Sequence, residues 1–296
     1  ICAQSGACAA ASYLPDSPKR AVELPIPGIA MMTFLTRARL AADLAALGVV
    51  SGDMVMVHAA FGKVGPVLGG PDALIGALRD AVGAQGTVLA YADWDAAYEA
   101  LCDADGRVPE AWKPHVPPFD AAASRAIRDN GVIPEFLRTT PGACRSASPG
   151  PSITAIGARA GWLTENHAID YGYGEGTPLA RLVEAGGKVL MVGNPRDTIT
   201  LLHHAEHLAR IPNKRIKRVE VPFATPEGTV WRMVEEFDTG SPVVDGLNED
   251  YFADIVDQFL ATGQGRVGQV GAAETLLLPA PAIVGFAVEW LEARFA

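Results

Sequence analysis

The stretch Lys188–Glu206, KVLMVGNPRDTITLLHHAE, constrains this chain most. Val189, Leu190, Met191, Val192 and Gly193 form an unbroken apolar or small run, which reads as a buried strand. Asn194-Pro195-Arg196 turns the chain, and Asp197 predicts an N-cap, because its carboxylate can accept a free N–H of the first helical turn. A helix to about Arg210 follows. On it Thr200, His203, Glu206 and His207 recur three or four residues apart and share one face, while His204 points elsewhere. A histidine one turn into a helix, just past a strand's C-terminal edge, sits where open α/β sheets place ligands.

The rest of the chain supplies more such units. Leu40, Leu44 and Leu47 predict an amphipathic helix over 33–47, closed by Gly48. Asp53–His58 (DMVMVH) reads as a buried strand, followed by the loop AAFGKVGPVLGGP, a helix over Asp72–Val82 and a strand over Thr87–Tyr91. This strand–loop–helix–strand order predicts a right-handed crossover in a mostly parallel sheet. Residues 92–130 lack a clear period but carry Trp94, Asp95, Tyr98, Glu99, Trp112, His115 and Asp120, so they read as an ordered functional excursion. Helices are expected near 132–139, 177–184, 249–261 and 281–294, and CRSASPGPSITAIG as extended chain ending in a strand. Lys217–Phe223 and Val230–Phe237 alternate about a Pro-Glu-Gly turn and predict a hairpin. The fold class is thus α/β: a mixed, mostly parallel central sheet flanked by helices, with a β-hairpin excursion.

Residues 1–31 lack a period, are rich in Ala, Ser and Pro, and have no basic segment before their apolar part; they read as a disordered or non-native tail. Residues 32–296 show no linker and no repeat, so one domain is expected. No apolar run reaches the ~18 residues of a membrane span. A net charge of −10 disfavours nucleic acid and favours a cationic partner. Cys2, Cys8, Cys102 and Cys144 have neither metal-site nor disulfide spacing, which suits a reducing cytoplasm.

Several motifs compete for the function. His203-x-x-Glu206-His207 is the inverted zinc-peptidase string, but no third ligand is identifiable, and taken alone the string favours surface or packed histidines on a helix. Gly263-x-Gly265-x-x-Gly268 matches a dinucleotide fingerprint but follows a helix rather than a strand, so it reads as a glycine turn. Cys144 has Arg145 beside it to lower its pKa but no base to serve it. The loop Ala59–Pro66 offers small residues for close backbone approach and Lys63 for a phosphate, or is an ordinary connection. Glu235, Glu236 and Asp238 cluster on the hairpin, and Asp93, Asp95 and Glu99 after another strand; if both groups converge on His203 they form an acidic pocket suited to a polyamine.

These segments together resemble the aminoglycoside 3-N-acetyltransferase family. The matching pieces are SGDMVMVHAAFGKVGPVLGGPDALIGALRDAVGAQGTVL, YADWDAAYE, CRSASP, GEGTPLARL, GGKVLMVG, TITLLHHAE, IPNKR, VEEFD and IVGFAVEWLEARF, covering nearly everything from Met32 onward. The resemblance implies acetyl coenzyme A as donor, no metal, and the 3-amino group of a 2-deoxystreptamine antibiotic as acceptor, in an antibiotic N-acetyltransferase type fold. It implies His203 as catalytic base and Glu235 as the carboxylate that orients it. It assigns Ala59, Lys63, Val64, Gly65, Arg145, Ser146 and Thr200 to the coenzyme, and Asp95, Tyr98, Glu99, Glu206, Glu236 and Asp238 to the antibiotic. The implied enzyme is cytoplasmic, a monomer or homodimer, without nucleic-acid or membrane partners. Three positions depart from the family pattern: Ala59-Ala60 where a serine is usual, Ser148 in place of the histidine of an SAHP string, and His204 in place of tyrosine. An imidazole, with an unperturbed pKa of ~6.5, can relieve an attacking amine of its proton at neutral pH. A carboxylate on its other nitrogen fixes the tautomer. Acetylation of another small amine, a metal-dependent peptidase and a non-catalytic binding protein are the alternatives.

Overall fold

The computed structural model describes residues 33–295; the predicted tail, 1–31, lies outside the described residues. Among the described residues, nine strands and eight α-helices run in the order α1 (Arg37–Leu47), β1 (Met54–Ala59), α2 (Gly70–Val82), β2 (Thr87–Tyr91), α3 (Ile133–Thr139), β3 (Cys144–Arg145), β4 (Ile153–Gly157), α4 (Ala160–Thr164), α5 (Pro178–Glu184), β5 (Lys188–Val192), α6 (Leu201–Leu208), β6 (Ile216–Thr225), β7 (Gly228–Phe237), α7 (Tyr251–Ala261), β8 (Arg266–Val270), β9 (Ala273–Pro279) and α8 (Ala280–Phe295). A seven-stranded sheet has the order β3-β4-β2-β1-β5-β9-β8, and β6-β7 form a separate hairpin.

The sheet is mixed but not mostly parallel. Only β1 pairs in parallel, with β2 on one side and β5 on the other. The β2–β4, β3–β4, β5–β9 and β8–β9 pairings are antiparallel. The strand–helix–strand pattern correctly gave the centre; it says nothing of flanking strands that return by turns. Nor does the glycine string end in a mere turn. Gly268 lies within β8 opposite Thr275. That strand is easily missed, because it is an edge strand with an exposed Val267 and a central glycine that leaves no side chain to mark a period.

Apolar layers cover both faces of the sheet. Residues of β1 alternate between them: Met54 and Met56 join α4–α8, whereas Val55 and Val57 join α1–α3. In β5, Val189 and Met191 face the first layer, Leu190 and Val192 the second. Period-two alternation between two dry faces explains why both strands read as continuous apolar runs. Leu40, Leu44 and Leu47 are buried as expected, but α1 starts at Arg37 rather than at 33, with Thr36 as its N-cap. The excursion after β2 is ordered by a third cluster, in which Trp94 and Phe119 pack on Val219 and Val221 of the hairpin, and Phe119 N–H donates to the Pro222 carbonyl at 2.8 Å. The hairpin is thereby fixed over the sheet's carboxyl edge, beside α6.

Candidate active site

The strand–turn–helix of 188–208 builds the centre. After β5, Gly193 adopts φ +69°, and a Cβ there would stand 3.1 Å from that of Lys63, so a glycine lets the two loops cross closely. A 3₁₀ turn over Arg196–Thr198 follows, and α6 begins at Leu201. Asp197 does not cap it. Thr200 takes the N-cap position in helical conformation, and the helix ends at Leu208.

His203 Nδ1 lies 2.6 Å from Glu206 Oε2, one turn on. The carboxylate accepts, so Nδ1 carries a proton, and in the tautomer this fixes the ring's lone pair is on Nε2. Glu206 is buried, and its other oxygen, Oε1, accepts from the Tyr251 hydroxyl. Burial beside a carboxylate drives the Tyr251 hydroxyl far up, so it stays a donor. The imidazole itself is packed between the rings of Tyr173 and Phe252, with centroids at 5.0 and 4.9 Å. His204, on the other face, donates from Nδ1 to the Tyr173 carbonyl at 2.8 Å and is structural.

Glu235 is not the partner of His203. Its carboxylate accepts from the Tyr171 hydroxyl and, at 2.6 Å, from Arg218 Nε, and these donors hold it below the usual carboxylate range. The assignment failed because the hairpin's alternation fixes which face a residue takes, not which helix that face meets. Glu206, placed with the antibiotic by sequence, is instead the carboxylate bonded to His203. Both Glu206 oxygens are engaged, by His203 and Tyr251, so the glutamate that would activate water in the peptidase string is tied to the string's own first histidine. Among the described residues no three His, Cys, Asp or Glu side chains are arranged to hold a metal ion.

Three hollows surround this pair. One, between the excursion and the hairpin, is lined by Trp94, Tyr98, Glu99, Tyr173, Lys217 and Glu236, among others. A second holds His203 with Asp197, Thr239, Glu249, Tyr251 and Phe252, and Thr239 borders both. A third lies at the carboxyl ends of β1, β2 and β5, against Ala59, Tyr91 and Thr200.

A family model for aminoglycoside 3-N-acetyltransferase matches residues 56–292. The chain belongs to that family. It is therefore an enzyme, an acyltransferase. It is 44% identical over 261 residues to aminoglycoside N(3)-acetyltransferase III of Pseudomonas aeruginosa, covering 88% of this chain and 94% of that one. To aminoglycoside N(3)-acetyltransferase VIII of Streptomyces fradiae it is 45% identical, covering 88% and 93%. Among solved structures, AAC-IIIb in a binary complex with CoASH superposes with TM-score 0.88 at 68% identity, covering 89% of this chain and 98% of that one. AAC-VIa bound to sisomicin superposes with TM-score 0.84 at 38% identity, covering 89% and 100%.

Within the family's fold, the predicted site residues separate. Ala59 and Thr200 border the third hollow, while Val64 is wholly buried and Gly65 adopts φ +103° in the loop beyond β1. Lys63 Nζ donates to the Gly193 carbonyl at 2.8 Å, pinning the two loops. Arg145 and Ser146 lie elsewhere, with their donors spent inside the protein. Arg145 binds the Asp93 and Ser124 carbonyls and Ser152 Oγ, and Ser146 Oγ pairs with His167 Nδ1 at 2.8 Å. Tyr98 and Glu99 line the first hollow, where Glu99 pairs with Lys217. Glu236 faces it too, with Oε1 2.9 Å from His207 Nε2 but off the axis of a hydrogen bond. Asp95 and Asp238 accept from the Ala97 and Gly240 amides in local turns, each at 3.0 Å. Sequence reasoning missed Tyr251 and Glu249, which carry no motif of their own, and read Asp197 only as a cap.

Proposed function

We propose that the chain transfers the acetyl group of acetyl coenzyme A to the 3-amino group of the 2-deoxystreptamine ring of aminoglycosides, with His203 as general base. The observation that carries this reading is the hydrogen-bonded series Tyr251–Glu206–His203, which holds the imidazole by Nδ1 at the edge of an acidic hollow. The unprotonated amine attacks the thioester carbonyl carbon, and the C–S bond breaks as the amide C–N bond forms. His203 Nε2 takes the proton released by the nitrogen, and the coenzyme leaves as thiolate, to be protonated to the thiol. The buried Glu206 carboxylate stabilises the transient imidazolium without taking its proton. Tyr251 holds that carboxylate in place. No acyl-enzyme is required: donor and acceptor meet in one ternary complex.

A polycationic acceptor matches the hollows beside His203. Asp197 and Glu249 line the one that contains the imidazole, and Glu236 and Glu99 the one adjoining it at Thr239. Their carboxylates complement the ammonium groups that are not acetylated. The donor belongs on the opposite side, at the carboxyl ends of the parallel strands. The relative with CoASH bound shares 68% of the sequence, and the relative with sisomicin bound shares the fold. Two free cysteines, Cys102 and Cys144, and the lack among the described residues of a helix able to cross a membrane accord with the cytoplasmic setting we propose.

Thiol release from acetyl coenzyme A, followed against a panel of gentamicin-like and kanamycin-like amines, tests the reaction. We expect release with 3-amino-bearing aminoglycosides and a His203→Ala rate lower by on the order of 10²–10⁴. Wild-type turnover in the His203→Ala protein would remove the imidazole from the mechanism.

A further inference from the structure

The acetyl transfer described above leaves one charge without a partner. As nitrogen attacks the thioester carbon, the carbonyl π electrons move onto oxygen, which carries negative charge until the C–S bond breaks. His203 accounts for the proton on nitrogen and does nothing for that oxygen. A hydrogen-bond donor for it belongs where the donor and acceptor hollows meet, close to the imidazole.

One pair of side chains meets this condition. Tyr91, at the end of β2, lines the third hollow, and Tyr173 lines the first. Their hydroxyl oxygens lie 2.7 Å apart, so the two hollows come together at a phenol–phenol hydrogen bond. The Tyr173 ring is also the one that packs on His203, and its backbone carbonyl accepts from His204 Nδ1. The ring is therefore held at both ends beside the base.

A count of hydrogens shows what the pair offers. Each phenol carries one hydrogen, and the bond between the two uses one. The carboxyl that neighbours Tyr91 is Asp93. Its Oδ1 accepts the Trp94 N–H at 2.6 Å, yet burial pushes the group up to about 7. Negative charge arriving nearby favours its neutral form further. A neutral carboxylic acid has a hydrogen of its own to give, as in oxyanion sites built from a phenol and a protonated aspartate. With Asp93 donating to Tyr91 and Tyr91 to Tyr173, the Tyr173 O–H is left free. Burial drives both phenols far above their ordinary value, so each donates a hydrogen bond without giving up its proton.

We propose that Tyr173 is a further catalytic residue, whose hydroxyl donates to the thioester oxygen as charge develops on it, with Tyr91 and Asp93 as positioning residues behind it. The hydrogen stays on Tyr173 throughout. When the C–S bond breaks, the electron pair returns from oxygen to re-form the carbonyl of the amide. Each bond in the series polarises the next, which strengthens the last donor. The inference rests on the acetyl-transfer reading above and adds the group that bears the oxygen's charge.

Steady-state kinetics on Tyr173→Phe, Tyr91→Phe and the double variant tests it, together with infrared spectra of acetyl coenzyme A labelled with ¹³C at the carbonyl and bound to each protein. We expect kcat to fall by on the order of 10²-fold in Tyr173→Phe and by less in Tyr91→Phe, with little change in either KM. The double variant should be no slower than Tyr173→Phe, because Tyr91 acts through Tyr173. The bound carbonyl band should lie at lower frequency in the wild type than in Tyr173→Phe, a shift that loss of packing alone would not produce. If Tyr173→Phe does not fold, Tyr91→Phe should still show a smaller shift of the band with a lowered kcat. Wild-type kcat in the variants, or a lowered kcat with an unmoved band, overturns the assignment. A wild type that releases no thiol with any aminoglycoside would instead overturn the reading on which it rests.

Discussion

Two polar clusters in this molecule look alike by composition and differ in how their bonds are spent. At the flank of the sheet, Arg145, Ser146, Ser152 and His167 form a closed knot. Ser146 Oγ accepts the Ile153 N–H at 2.9 Å, and His167 donates from Nε2 to the Gly172 carbonyl at 2.7 Å, so its Nδ1 accepts from the serine. Arg145 satisfies two backbone carbonyls and Ser152 and stacks over Phe119 at 5.1 Å. At the sheet's carboxyl edge, His58 Nε2, Asn130 Nδ2 and Asn194 Oδ1 are also buried atoms but reach no partner. The knot completes itself, whereas these edge atoms find no partner among the described residues. Residue type alone could not tell them apart: the resemblance gave Arg145 and Ser146 to the coenzyme, and Asn194 read as part of a turn. His203 stands between the two cases, with Nδ1 held by Glu206 and Nε2, in the function we propose, left to take a proton.

The sharpest test of that intermediate position is Glu206→Gln. It keeps the shape but removes the charge that fixes the Nδ1–H tautomer, and kcat should fall by on the order of 10²–10⁴. Melting should change far less than turnover. Loss of stability without loss of kcat would class Glu206 with the knot.

Acid probes both clusters together. Burial holds His58 and His167 down at about 4 and lowers His204 as well. Unfolded, these imidazoles titrate near ~6.5. The stability they contribute is therefore complete above that value and lost as pH falls toward 4, because the unfolded chain binds the extra protons. Asp93, pushed up to about 7 by burial, runs the other way: its contribution is complete at low pH and fades as pH rises through 7. Two strongly shifted histidines and a third lowered one outweigh one aspartate. A net loss on the order of 3 kcal/mol is expected between pH 7 and 4, read from urea midpoints. Stability that rose on acidification over this range would contradict the burial of the histidines.

Breaking the knot should damage folding alone. Arg145→Met leaves the carbonyls of Asp93 and Ser124 without donors and should cost about 3 kcal/mol, while the KM for acetyl coenzyme A in the remaining folded enzyme is unchanged. A raised KM with intact stability would restore Arg145 to the coenzyme. The smallest effect is expected at Glu235→Gln. That carboxylate is shared with Tyr171 and the exposed Arg218, away from the imidazole, so kcat should stay at the wild-type value. A large fall in kcat would return it to the catalytic series.

Much of this protein was legible along the chain. The Leu40, Leu44 and Leu47 spacing, the two apolar runs of β1 and β5 and the hairpin alternation each express a local period, 3.6 or 2, that holds whatever surrounds it. The family followed from strings such as TITLLHHAE, and so did the histidine at 203. What lay beyond reading was decided by contacts between distant segments. Glu206 was visible at three residues from His203, but its role depends on Tyr251, 45 residues further on, which saturates its other oxygen. The antiparallel flanks depend on where β4 and β9 return, and the polar wall on three loops meeting at one edge. Periodicity is a property of neighbouring residues, so sequence carries it. Whether a buried polar group finds a partner is a property of the packed whole, and only the tertiary structure decides it.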